Sequence, residues 1–214
     1  MSLSQIPTLA VLIKRPSYRR GLPPLSAEIG PATTLDIAEH LLACALEDAR
    51  EFPGRVVLIP SREQDEPWAQ TLLDNVEVMV SAGKGRSHML GPVDSALREL
   101  GHQKIVFMDT STPLLDQRDY IEMIARLGRS DVAIRADRQN RLLLFASRIE
   151  LPVDKSFTWE TPSSAEELSR YCQSEGLDVF QTNCDDRLDA GCDLYTLSYA
   201  LRNQHRPARQ ALSK

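Results

Sequence analysis

The strongest constraint on this chain is a change of apolar period that repeats along its length. Residues 8–13 (TLAVLI), 55–60 (RVVLIP) and 104–108 (KIVFM) are short, almost wholly apolar runs ended by breakers. Runs of that kind, with no polar alternation, are the pattern of strands buried on both faces. Between the first two the pattern turns helical: Leu35, Ala38, Leu42, Ala45 and Ala49 fall on one stripe, Leu41 and Leu46 widen it, and Pro53-Gly54 stops it.

The same alternation continues. A short helix is expected over 68–73, a strand over 76–80, a helix from Pro92 to Leu100, and a helix over 118–127. Strands follow at 131–134 and 141–146, then a helix from the Ser163-Ser164 capping signal to Gly176, a strand over 177–181 and a helix over 193–202. Strands separated by helices of this length read as βαβ units, so the expected architecture is a single three-layer α/β/α domain around a mainly parallel sheet. Its expected extent is residues 1–202; the polar, basic tail 203–214 has no apolar stripe and reads as disordered.

Composition narrows the function classes. The chain has 214 residues, 42% of them hydrophobic, yet no run of about 18 apolar residues that would span a bilayer. Its first residues lack a cationic stretch followed by an apolar one, so the expected location is the cytoplasm, with no membrane partner. With 25 basic against 30 acidic residues the net charge is -5, which argues against a nucleic-acid partner but allows a local anion site. Cys44, Cys172, Cys184 and Cys192 show no C-x-x-C spacing and read as free structural thiols.

Ligands of parallel sheets sit beyond the carboxyl ends of the strands, which directs attention to residues 14–24, 61–65, 81–87 and 109–113. Lys14, Arg15, Arg19 and Arg20 place four cations in seven residues after the first strand. Guanidinium forks match phosphate oxygens and lysine adds a point charge, so the loop suits a nucleotide; a plain solvated basic loop is the alternative. Asp109 ends the third apolar run and offers a hard oxygen ligand for Mg²⁺ or Mn²⁺, or else a cap for the next helix. Asp185, Asp186, Asp189 and Asp193 form a late acidic cluster with the same two readings, and Trp159 stands in a turn-rich segment. His88 and His102 have no nucleophile in a recognisable motif, and no G-x-S-x-G, Walker loop or G-x-G-x-x-G occurs.

In order along the chain, four segments resemble one bacterial family of glycosyltransferase-A-like, nucleotide-diphospho-sugar transferase-type proteins, a family of unknown function often encoded beside radical-SAM genes. Its opening strand and K-x-P-x-x-G-x-V-K-T-R-L-x-P resemble residues 9–16 followed by Arg19, Arg20, Leu22, Pro23 and Pro24. Its V-V-L-I-G-S-D-x-P-x-L resembles residues 105–115, its W-S-T-P resembles Trp159-Glu160-Thr161-Pro162, and its D-x-D-T-x-x-D-L resembles residues 187–194. The resemblance implies a glycosyltransferase-A fold and metal-assisted glycosyl or nucleotidyl transfer from a nucleotide or nucleotide-sugar. Lys14, Arg15, Arg19 and Arg20 would then face phosphates, while Asp109 and Asp189 would hold Mg²⁺ or Mn²⁺. A catalytically degenerate nucleotide-binding or regulatory module on the same fold is the alternative, because the sequence departs from the pattern. Ser111 stands where the motif has Asp, with Asp109 two residues upstream on the same strand face, about 6–7 Å away. The family's G-P-A-x-D-G-G-Y-Y-L becomes residues 135–144 (RADRQNRLLL), without its glycines or its acid, which implies a reshaped pocket there.

Overall fold

The computed structural model describes residues 6–18, 23–80, 90–137, 140–151, 164–183, 191–202 and 205–213. In chain order the elements are β1 (Thr8–Ile13), α1 (Pro23–Ile29), α2 (Pro31–Glu51), β2 (Arg55–Pro60), α3 (Glu66–Ala69), β3 (Glu77–Val78), α4 (Leu90–Glu99) and β4 (Ile105–Asp109). Then come α5 (Gln117–Arg126), β5 (Val132–Ala136), β6 (Leu142–Ser147), α6 (Ser164–Ser174), β7 (Val179–Asn183), α7 (Gly191–Leu201) and α8 (Pro207–Leu212).

All six residues of β1 are buried, because β1 is covered on both faces and flanked by parallel partners on both sides. Leu9, Val11 and Ile13 point toward α2 and α5, joining Leu42, Ala45, Tyr120 and Met123. Ala10 and Leu12 point the other way, joining Val93 and Leu97 of α4 and Leu168 and Cys172 of α6. Each fully buried Leu, Ile or Val contributes about 1.5–3 kcal/mol, so the apolar run that defines β1 also anchors both layers. The outcome is the three-layer α/β/α domain expected from the alternating periods.

The sheet order is β3-β2-β1-β4-β6-β5-β7. β6 alone runs against its neighbours β4 and β5; the other pairings are parallel. The short connection between β5 and β6 forces that reversal, since a parallel return needs a crossover of a dozen residues or so. Because β5 still runs with β4, the carboxyl ends of β1, β2, β4 and β5 share one edge.

Two stretches differ from the sequence reading. Pro23-Pro24, read as part of a loop, begins α1, where proline is tolerated in the first turn. Within the tail read as disordered, residues 207–212 instead form α8, which packs on α2. Charge and the packing of Leu212 on Leu41, Leu197 and Leu201 hold it there: Arg209 is 1% exposed and its Nη2 lies 2.9 Å from both carboxylate oxygens of Asp48. Arg206 pairs with Asp48 and Glu51, and the Ala208 amide donates to Glu47 at 2.8 Å. Smaller differences are the length of β3, two residues, and α3 at 66–69 in place of 68–73.

Cys44 and Cys172 are free and buried, and burial pushes their thiols up to about 12 and about 11. No helix among the described residues is long and apolar enough to cross a membrane.

Candidate functional site

β1 lies where the strand order reverses direction: the chain moves outward through β2 and β3, then returns to place β4 on the other side of β1. Loops leaving the carboxyl ends of two such strands part to opposite faces and leave a crevice. The register sets Asp109 beside Leu12, so Lys14 stands just past the end of β1 and Asp109 at the end of β4, on neighbouring strands. These two of the expected site residues share the crevice edge. Arg15 is exposed beside them, and its guanidinium lies 5.8 Å from the ring centroid of Trp68, next to β2. A stacking contact of that kind, worth about 0.5–1 kcal/mol at an exposed site, holds the cation at the rim. Arg19, Arg20, Asp189, Trp159 and the 81–87 loop lie outside the described residues.

Asp109 does not cap a helix. The N-cap of α5 is Asp116, whose side chain accepts from the Arg118 amide at 2.7 Å while Asp119 reaches back to the Asp116 amide, a reciprocal capping box. The Asp109 carboxylate closes a turn on itself: Oδ1 accepts from the Ser111 amide at 2.9 Å and the Ser111 hydroxyl at 2.6 Å. Ser111, standing where the resembling motif has an acid, therefore orients Asp109 rather than replacing it. A bound cation would meet one carboxylate already aimed by two donors, with the remaining positions filled by phosphate and water oxygens, as hard divalent ions accept. That donor set fits Mg²⁺ or Mn²⁺ arriving with a nucleotide. Among the described residues no three acidic, His or Cys side chains cluster to bind a cation on their own.

Two hydroxyls that sequence reading did not single out stand in the loops of this edge. Ser17 Oγ, after β1, and Thr112 Oγ1, after β4, are buried with no hydrogen-bond partner among the described residues. Thr112 is 2% exposed. A buried hydroxyl left unpaired costs about 1–3 kcal/mol, which a ligand oxygen or ordered water would offset. No sequence pattern could have marked them, since the signal is the burial itself.

The β5–β6 turn at the same edge is less altered than its sequence implies. Asn140 occupies φ 58°, and Asn tolerates that left-handed conformation without glycine. Asp137 is buried, accepting from the Arg141 amide at 2.8 Å and pairing with the Arg141 guanidinium. Arg141, in the segment expected to reshape the pocket, is thus held by Asp137. Arg135 of β5, two residues before Asp137, pairs with Asp119 of α5 at 2.8 Å. At the opposite edge, a cavity of about 540 Å³ is lined by residues of both signs, among them Arg50, Arg55, Asp74 and Glu77.

No protein-family model and no curated protein sequence matches the chain. Solved structures do. One is a protein from Desulfovibrio desulfuricans G20 provisionally assigned as a nucleotide-diphospho-sugar transferase: TM-score 0.82 at 16% identity, covering 99% of this chain and 94% of that one. Another is CMP:2-keto-3-deoxy-manno-octonic acid synthetase complexed with CTP: TM-score 0.56 at 12% identity, covering 90% and 96%. A third is Rv0371c from Mycobacterium tuberculosis H37Rv in complex with manganese: TM-score 0.52 at 16% identity, covering 89% and 97%. At these identities the likeness is one of architecture: the chain has the nucleotide-diphospho-sugar transferase type of fold, with its mostly parallel seven-stranded sheet.

Proposed function

We propose that the chain binds a nucleotide or nucleotide-sugar in the crevice between the ends of β1 and β4 and carries out metal-assisted glycosyl or nucleotidyl transfer there. The observation that carries this reading is the placement of Lys14 and the Ser111-oriented Asp109 on adjacent strand ends at the point where the strand order reverses. Lys14, Arg15, Arg19 and Arg20 bind and orient the phosphates, and Thr112 and Ser17 offer hydroxyls to phosphate or ribose oxygens. Preorganised cations at that position favour charge developing on a leaving phosphate. Asp109, with Asp189, holds Mg²⁺ or Mn²⁺, which when bound supplies Lewis-acid stabilisation of that same charge. Such a protein works in the cytoplasm, where nucleotides are available.

The CTP and manganese held by proteins of this fold support the reading. The commitment of Asp109 Oδ1 to Ser111 favours a second reading, in which the site binds a nucleotide without using a metal and serves regulation. Calorimetric titration with CTP, UDP and a UDP-sugar, with and without Mn²⁺, separates the two. Micromolar binding that strengthens with Mn²⁺, and loses that dependence in Asp109→Asn, is the expected result. Binding indifferent to metal supports the regulatory module, and absence of binding to all three overturns the crevice assignment. Lys14→Ala is expected to weaken binding about tenfold, the loss of one charged phosphate contact.

A further inference from the structure

We propose that Arg209 is a positioning residue for the loop that carries Asp109 and Thr112, so that docking of α8 sets the geometry of the crevice. The inference rests on the nucleotide-site reading above.

The loop runs from the end of β4 to the N-cap of α5. Its first part is shaped by the Asp109–Ser111 turn and its last by the Asp116 cap. Between them the carbonyls of Pro113 and Leu115 accept from Arg209: Nε donates to Pro113 O at 2.7 Å and Nη2 to Leu115 O at 2.6 Å. The same guanidinium is fixed from behind by Asp48 at 2.9 Å and Glu47 at 3.3 Å, both on α2. One side chain therefore ties three elements together at full burial.

Buried carbonyls require donors, and few groups could satisfy two of them while facing a carboxylate. Guanidinium is planar with five N–H groups in a fixed fork; ammonium is a single point with three. Thr112, next to Pro113, keeps its buried hydroxyl unpaired among the described residues, so its side chain does not hold the loop, and the turn inside it is the long Leu115 amide to Thr112 carbonyl bond at 3.4 Å. The middle of the loop is held by Arg209 from outside, through the Pro113 and Leu115 carbonyls. Arg209 acts on the crevice through Asp109 and Thr112.

Arg206 supplies the control. It bonds Asp48 and Glu51 but, among the described residues, not the loop. The experiment uses the full chain with Arg209→Lys and Arg206→Gln, reading amide hydrogen exchange at 110–116 and in β1, and titration with CTP plus Mn²⁺. Arg209→Lys is expected to speed exchange in the loop about tenfold while β1 is unchanged, and to weaken CTP binding about tenfold. Arg206→Gln should lower thermal stability without either effect. If loop and β1 lose protection in step in Arg209→Lys, Arg209 is a general stabiliser and the proposal falls. It falls equally if the loop loosens while CTP binding stays at the wild-type value. If the wild type binds none of CTP, UDP and the UDP-sugar, the nucleotide reading fails, and the exchange comparison alone then decides whether Arg209 sets the loop.

Discussion

Removing a single oxygen, in Tyr120→Phe, tests the buried polar cluster that docks α8. Tyr120 is 1% exposed, and its hydroxyl donates to Asp48 Oδ2 at 2.9 Å. Its ring meets Phe52 edge-on at 6.3 Å, a contact that phenylalanine keeps, so the substitution isolates the hydroxyl. A hydrogen bond to a charged group is worth about 1.5–3 kcal/mol. Asp48 retains Arg209 and Arg206, which places the loss at the lower end, about 1.5 kcal/mol. At about 2–4 °C per kcal/mol for a domain of this size, the melting temperature should fall by about 3–6 °C. The pH dependence is sharper. Burial, followed by the Asp48 carboxylate, pushes the Tyr120 phenol well above its usual value of 10.0. A proton held more tightly in the folded state contributes stability that is complete below about pH 10 and is lost above it, at no more than about 1.4 kcal/mol per pH unit. Phenylalanine has no such proton, so the deficit of the variant at about pH 8 should shrink to near zero by about pH 11. Urea unfolding of both proteins, followed by tryptophan fluorescence and circular dichroism, measures this difference; the other tyrosines and thiols titrate in both and cancel. A difference that stays constant from about pH 8 to 11, or one absent at about pH 8, would refute the reasoning.

Gly54→Ala should be costly, because a Cβ there would lie 2.2 Å from the Pro7 carbonyl oxygen and 2.7 Å from the Phe52 ring. That carbonyl is held by the Arg55 amide at 2.9 Å and cannot easily yield, so about 2–3 kcal/mol should be lost in urea unfolding; a loss under about 0.5 kcal/mol would contradict the close approach. His102 is buried, shares a 2.8 Å hydrogen bond with Thr8, and lies 3.6 Å from Glu77; desolvation lowers its affinity for a proton despite that neighbour. The unfolded chain then takes up the proton first, so stability is complete above about pH 6.5 and declines as pH falls through that value. Melting curves between about pH 7 and 5 should show this slope in the wild type and a flatter one in His102→Gln, and equal slopes would exclude His102 as its source.

The candidate site was only partly legible. Lys14, Arg15 and Asp109 could be picked out because strand ends can be located by where apolar runs stop, and function in parallel sheets gathers there. Whether Asp109 faced a ligand or capped a helix could not be decided from spacing, because the true cap, Asp116, lies seven residues on and competes for the same reading. The loss of glycine in the β5–β6 turn looked like damage, yet Asn140 adopts a left-handed backbone conformation of the kind glycine allows, and Asp137 pairs with Arg141. Ser17 and Thr112 gave no signal at all, since a hydroxyl becomes informative only when its surroundings exclude water.

Local sequence determined the elements and the layering: a run such as residues 8–13 can satisfy its apolar side chains only between two covering layers, and the 3.6-residue stripe of α2 names the face it buries. What tertiary structure decided was everything carried by polar atoms at long separation. The antiparallel insertion of β6 beside β4 and the docking of α8 through Arg209 on Asp48, Pro113 and Leu115 join residues that periodicity cannot relate. Apolar burial is proportional to area and recurs with the helix or strand period, so it can be read along one dimension; hydrogen bonds depend on distance and angle between specific atoms, and those exist only once the chain has folded.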